Sequence, residues 1–251
     1  MHIEMASNRG LQRETKTTLG ASDNIRNKIA AGTPHLITLA ELHDGFGAMP
    51  PYTAYLGIDA DGSPASIDLS NPRSGSILLI GEKMAWHVAK TILHSAVHFS
   101  SPEQVQIYTL GVKQQTLYSG TRKPHHLEII GNDGIGHIIS LITSRSKSRV
   151  KTPVIVYLIA HIPKLYNRDQ KEKVRYALRF APPIGIVPIV IGNESDNILP
   201  FGTVITFNPN RSMYSAKVGN QPPIDYYPIS LHIYNKPGFV VTRPQFRLRR
   251  E

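Results

Sequence analysis

Apolar residues fall along this chain into two alternating kinds of run. The short continuous ones, Ser76–Ile80, Val105–Leu110, Leu127–Ile130, Val154–Ile159 and Ile186–Ile191, have the length and β-branched content of strands buried on both faces. Between them lie longer segments with helical spacing: Met84 to Phe99, Ile135 to about Arg149, and a charged stretch from Arg168 to Arg179. Strand and helix patterns alternate in this way from Ser76 to Phe207, which predicts an α/β domain with a mostly parallel sheet and helices on both faces. In such a sheet the strands 77–80, 105–110, 154–159 and 186–191 should run side by side and parallel. Gly81 and the pair Ala160-His161 would then share the carboxyl edge, where open α/β sheets bind ligands.

Upstream of this alternation the pattern is weaker. Met1 to about Ala21 is polar and poor in large apolar groups, as expected of a flexible extension. Residues 22–54 predict a short helical lead-in: Ser22 can cap a helix over Asp23–Ala31, and Thr38-x-x-Glu41 is a capping box that starts a helical turn from Leu39 to about Asp44. Downstream of Pro209, the stretch from Gln221-Pro222-Pro223 to Tyr227-Pro228 reads as a loop, with short strands ending near Thr242 and a basic tail over 243–251.

Composition narrows the classes. A chain of 251 residues that is 41% hydrophobic can bury an ordinary core, hiding roughly 70–75% of its unfolded surface. It contains no cysteine, which excludes disulfides and thiolate zinc sites. No apolar run approaches the ~20 residues that span a bilayer, and Met1 to Thr18 is not signal-like, so the expectation is a cytoplasmic protein. Twenty-eight Lys and Arg against eighteen Asp and Glu give a formal charge of +10, which favours polyanionic partners. The cations cluster at Arg145, Lys147, Arg149 and Lys151, along Arg168 to Arg179, and at Arg243, Arg247, Arg249 and Arg250. Solvated helix faces would look the same.

The candidate chemistry lies at the two ends brought to one edge. Gly81-Glu82-Lys83-Met84-Ala85-Trp86-His87-Val88 sits between a strand run and a helix run, the place of a phosphate-binding loop. A working loop, G-x-x-x-x-G-K-[ST], needs glycines to wrap the phosphates, a lysine to neutralise them and a hydroxyl for Mg²⁺. Counting from Gly81, those positions hold Trp86, His87 and Val88. Lys83, the nearby lysine, lies four residues too early. Farther on, the strand run Val154–Ile159 is followed by Ala160-His161-Ile162-Pro163-Lys164-Leu165.

With these residues in place, the chain resembles the FtsK/SpoIIIE family of P-loop ATPases from Tyr55 to about Val241. The resemblance implies a RecA-like P-loop NTPase fold for residues 55–242, with Ala160 and His161 on the Asp-Glu pair of Walker B. It extends to Tyr55–Asp59, Asp61-Gly62 and Ile67–Leu69 as an entry hairpin, and to Ser101–Tyr108 as the passage out of the P-loop helix. Lys113 falls on the lysine of the family's Asp-Pro-Lys, with Gly111 in place of the aspartate. Pro124-His125 matches a Pro-His segment. Asn193 stands for the glutamine that senses the γ-phosphate, and Arg211-Ser212 reverses a Ser-Arg pair.

The resemblance implies a domain that has lost phosphate, Mg²⁺ and base functions together, for which neither cofactor nor metal is expected. The leading expectation is an inactive FtsK-like domain serving as a DNA-binding or scaffolding subunit, as a homo-oligomer or in a ring with active ATPases. A degenerate module of a type VII secretion-like system, binding a protein substrate, is the alternative. An unorthodox ATP-dependent DNA translocase ranks last. Other tempting features read as structural. His94 and His98 have i, i+4 ligand spacing, but Ser95 stands where H-E-x-x-H has Glu. Gly131 to Gly136 has its glycines in the wrong order for a dinucleotide fingerprint, and a helix capped at Asp133 accounts for it. Trp86 is the sole tryptophan; it could stack on a base, but filling the space left by absent phosphates is the better expectation. His87 could keep a weak anion contact at the helix N-terminus.

Overall fold

The computed structural model describes residues 23–32, 37–47, 49–110, 125–129, 134–160, 168–193, 196 and 199–230. The strands are β1 (Thr53–Ile58), β2 (Pro64–Asp68), β3 (Ile77–Ile80), β4 (Val105–Leu110), β5 (His126–Ile129), β6 (Val154–Ile159), β7 (Ile186–Gly192), β8 (Thr203–Asn208), β9 (Met213–Val218) and β10 (Ile224–Tyr226). The helices are α1 (residues 23–30), α2 (Leu39–Phe46), α3 (Glu82–Phe99), α4 (Gly134–Ser148) and α5 (Arg168–Phe180).

Among the described residues, eight strands form one sheet in the order β10-β9-β8-β3-β7-β6-β4-β5. From β8 to β5 the neighbours are parallel, and β9 and β10 close one side as an antiparallel ribbon. β3, β7, β6 and β4 are therefore contiguous and parallel, as expected from their continuous apolar runs. That pattern arises because successive residues feed opposite layers. In β6, Val154, Val156 and Leu158 pack in the α3 layer with Ala85, Val88, Ala89 and Ile92. Ile155, Tyr157 and Ile159 pack in the other layer with Ile138 and Ile142 of α4 and Val174, Ala177 and Leu178 of α5. Each such fully buried aliphatic side chain contributes about 1.5–3 kcal/mol, so the two helical layers are held by the same strands from either side.

The hairpin β1–β2 is antiparallel with an irregularity between Tyr55 and Gly57. It continues the α3 layer through Ala54, Leu56, Ile67 and Leu69. Its other side joins the lead-in: Ile25, Ile37 and Leu42 are buried with Tyr55, Ile58 and Ile229. α2 starts at the capping box, with the Glu41 N–H donating to the Thr38 hydroxyl at 3.1 Å and the Thr38 N–H to the Glu41 carboxylate at 2.8 Å. Backbone bonds from Ser230 N–H to the Ile37 carbonyl and between Ile58 and Tyr227 stitch the far end of the described chain to this lead-in.

Three expectations need correction. β1 begins at Thr53, inside the segment assigned to the helical lead-in. The segment expected to be a Pro-rich loop contains β10, because β9 offers Ile224–Tyr226 a pairing edge that no local pattern announces. The helix after Gly81 begins at Glu82 rather than near Met84. The flexible extension over 1–21, Lys113, Pro124, Asp133, His161 and the tail 243–251 lie outside the described residues.

Candidate nucleotide site

Because β3, β6 and β7 are parallel, Gly81, Ala160 and Asn193 all leave the sheet at one carboxyl edge, with β7 inserted between β3 and β6. The topology thus brings together the three positions that the sequence singled out.

The span after Gly81 is helix rather than loop. Gly81 caps α3 with φ 129° and ψ 39°, and Glu82 is already the first helical residue. The Met84 N–H donates to the Gly81 carbonyl at 2.9 Å and the Ala85 N–H to the same oxygen at 3.3 Å. In a phosphate loop the amides of this stretch converge on the ligand; here, from Met84 onward, they are used along the helix. Glycine is required at position 81, since its φ lies in the range L side chains avoid and an added Cβ would lie 3.0 Å from Cβ of Phe207.

Most side chains at this edge are used for packing. Val88 is fully buried, and Trp86, Met84, Phe207 and Ala160 lie partly buried against the α3-side core. Lys83 is exposed on the first turn. The His87 Nε2–H donates to the Ile229 carbonyl at 2.8 Å, so that nitrogen faces the chain rather than an anion. Burial pushes the His87 pKa below its ordinary value, with Lys90 adding to the fall and the bond to Ile229 opposing it. Asn193 stands exposed one residue beyond β7, and its N–H donates to the Asp196 carboxylate at 3.0 Å.

An aromatic ladder that the sequence pattern does not reveal underlies this end of α3. The Tyr214 hydroxyl donates to the Met84 carbonyl at 2.9 Å, and its ring packs 5.2 Å from Phe207 and 5.3 Å from Tyr226. Burial pushes the Tyr214 ionisation upward, which keeps the hydroxyl a donor. No local signal marks this hydrogen bond, which spans 130 residues.

The basic positions separate. The Arg145 guanidinium is directed inward and donates to the carbonyls of Lys151, Ile184 and Gly185 at 3.3, 3.3 and 3.0 Å and to that of Pro153. At 9% exposure its place is structural, which corrects its assignment to a nucleic-acid surface. Lys147, Arg149 and Lys151 are exposed where α4 leads into β6, at the amino edge of the sheet and away from the Gly81 edge. No ion pair among the described residues includes them. Arg243, Arg247, Arg249 and Arg250 lie outside the described residues. His98 packs edge-on against His43 and Phe99, and no group of potential metal ligands occurs among the described residues.

This mixed α/β fold is similar to that of RecA-like P-loop ATPase domains. The cytoplasmic domain of the type VII secretion ATPase EccC from Thermomonospora curvata superposes with a TM-score of 0.55 at 14% identity, over 71% of this chain and 28% of its own. The pCW3 conjugation coupling protein TcpA, in its monomer form with ATPγS, gives 0.57 at 13% identity over 78% and 70%. The cytoplasmic domain of EssC gives 0.55 at 12% identity over 77% and 46%. The chain therefore spans less than half of these EccC and EssC chains, and at such identities the likeness is one of fold. No protein-family model and no curated protein matches the sequence. No helix among the described residues is long and apolar enough to cross a membrane.

Proposed function

We propose that this chain is a catalytically inactive FtsK/SpoIIIE-like domain that acts as a binding or scaffolding subunit beside active ATPases. One observation carries the reading: the span that would wrap phosphates forms the first turns of α3, with the Met84 and Ala85 amides bonded back to the Gly81 carbonyl. The chemistry is missing as well, since Val88 and Ala160 contribute only apolar surface and the His87 imidazole is tied to Ile229. Neither phosphate charge nor Mg²⁺ finds a partner among these groups. Two further similar structures, of EccC and of EssC, each comprise ATPases 2 and 3 of the protein, so more than one ATPase is present in each. A subunit without turnover can occupy a place in such an array, its fold preserved by the need for interfaces. An active translocase is the least favoured reading, because Lys83 projects from the first turn of α3 into solvent.

The test is calorimetric titration with Mg-ATP, paired with a phosphate-release assay. No hydrolysis is expected, and no binding tighter than roughly 100 μM, about −5.5 kcal/mol. Tighter Mg-dependent binding would refute the proposal.

A second activity of the same subunit, contact with DNA, is favoured by Lys147, Arg149 and Lys151. They stand exposed together at the amino edge without carboxylate partners among the described ion pairs. Such a group would bind phosphates without sequence preference.

A further inference from the structure

Helix α5 buries Val174, Ala177 and Leu178 against the sheet, yet two of its aromatic residues remain in solvent. Tyr176 is 45% exposed and Phe180 46% exposed. A single exposed apolar residue needs no explanation. These two lie one helical turn apart with ring centroids 4.7 Å from each other. They form one wall of a groove of about 710 Å³, completed by Ile139 of α4, Pro200 and the charged residues Glu172, Lys173, Arg175 and Arg179. The groove runs along the exposed face of α5, with Ile139 of α4 and Pro200 at its border.

Charge selects the occupant. Residues 168–180 carry five cationic side chains against two anionic ones. Both anions are already matched, Asp169 with Lys173 at 2.7 Å and Glu172 with Arg175 at 2.8 Å. Arg179 has no carboxylate partner among the described ion pairs; its guanidinium lies 5.5 Å from the centre of the Phe180 ring. An arginine held over an aromatic ring beside an apolar floor is the composition of an interface hot spot. Nucleic acid fits less well. The two rings are inclined at 40° and pack on one another, so they present no pair of parallel platforms for bases.

We propose that the α4–α5 groove docks an acidic amphipathic helix of a partner protein. One apolar side chain of the partner enters between Ile139, Pro200 and the Tyr176–Phe180 wall, while its flanking carboxylates meet Arg179 and Arg175. This names the partner chemistry of the scaffolding function proposed above and rests on it. The mode is a helix laid in a groove, with apolar anchors at helical spacing and charge on the rim.

The experiment uses the full chain and a fluorescein-labelled synthetic helix of repeated Glu-Leu-Leu-Glu, followed by anisotropy. Saturable binding is expected. It should weaken by about tenfold or more in Y176A/F180A and again in the charge reversal R175E/R179E. The corresponding peptide with Lys for Glu should not bind, and an oligo-dT strand should not displace the acidic helix. Thermal melts establish that each variant is folded, and should Y176A/F180A misfold, R179E alone decides. Failure of the acidic peptide to bind, binding unchanged in the folded variants, or displacement by oligo-dT overturns the proposal, the last in favour of a nucleic-acid groove. Mg-ATP titration of the same preparation separates the two levels. Turnover together with peptide binding would refute the inactive domain and leave the groove standing, whereas the absence of both would remove the groove alone.

Discussion

Replacing Arg145 by Ala should destabilise the fold by about 3–5 kcal/mol. The guanidinium satisfies four carbonyls from two segments, Lys151 and Pro153 on the approach to β6 and Ile184 and Gly185 before β7. The bond to Gly185 is buried, so losing it leaves an acceptor that water does not reach, at a cost of about 1–3 kcal/mol. The other three bonds are partly buried, and each costs about 0.5 kcal/mol once water replaces the donor. The stem of a residue only 9% exposed loses packing as well, at about 0.8 kcal/mol per methylene. Domains are stable by about 5–15 kcal/mol in total, so the variant should lie near the edge of folding. A chain of this size shifts its melting temperature by about 2–4 °C per kcal/mol, which gives a fall of about 6–20 °C. Arg145→Lys should recover little of it, because an ammonium cannot reproduce the planar fork that reaches several carbonyls. Lys147→Ala, at an exposed position two residues along the same helix, should stay within about 0.5 kcal/mol of the parent. Thermal and urea unfolding followed by circular dichroism measure all three. An Arg145→Ala protein that melts within a degree or two of the parent would show that the inward network contributes nothing, and Arg145 would again count among the candidate surface cations.

Acid should weaken the fold through His87 and His137, both lowered by burial below their ordinary value near 6.5. The unfolded chain then binds protons more readily than the folded one, so their contribution is complete above about pH 6.5 and is lost as pH falls through the depressed folded values. Urea unfolding across that window should show the decline, and His87→Gln should flatten it; a pH-independent parent would contradict the assignment. Replacing Lys147, Arg149 and Lys151 together by Ala should weaken DNA binding and reduce the slope of log K against log salt by about 0.9 for each phosphate no longer neutralised. An unchanged slope in fluorescence anisotropy would remove this surface from consideration, and the same measurement on Arg247, Arg249 and Arg250 replaced by Ala tests the tail independently.

The sequence by itself determined the alternation of strands and helices, the start of α2 and the placing of Gly81 and Ala160 at the ends of two strands. These are local properties. A short, β-branched apolar run such as Val154–Ile159 has the pattern of a strand covered on both sides, and Thr38 and Glu41 carry both halves of their capping box within four residues. The tertiary structure decided everything that depends on which distant segment supplies a partner. Periodicity could not reveal that Arg145, in a row of surface-like cations, meets carbonyls before β7, nor that a Pro-rich stretch would find the edge of β9 and become β10. It also could not tell that the Met84 carbonyl, in the first turn of α3, accepts from the Tyr214 hydroxyl 130 residues away. Side-chain pattern is written residue by residue along the chain, whereas a hydrogen-bond partner is fixed only when the sheet closes and sets which groups lie within reach.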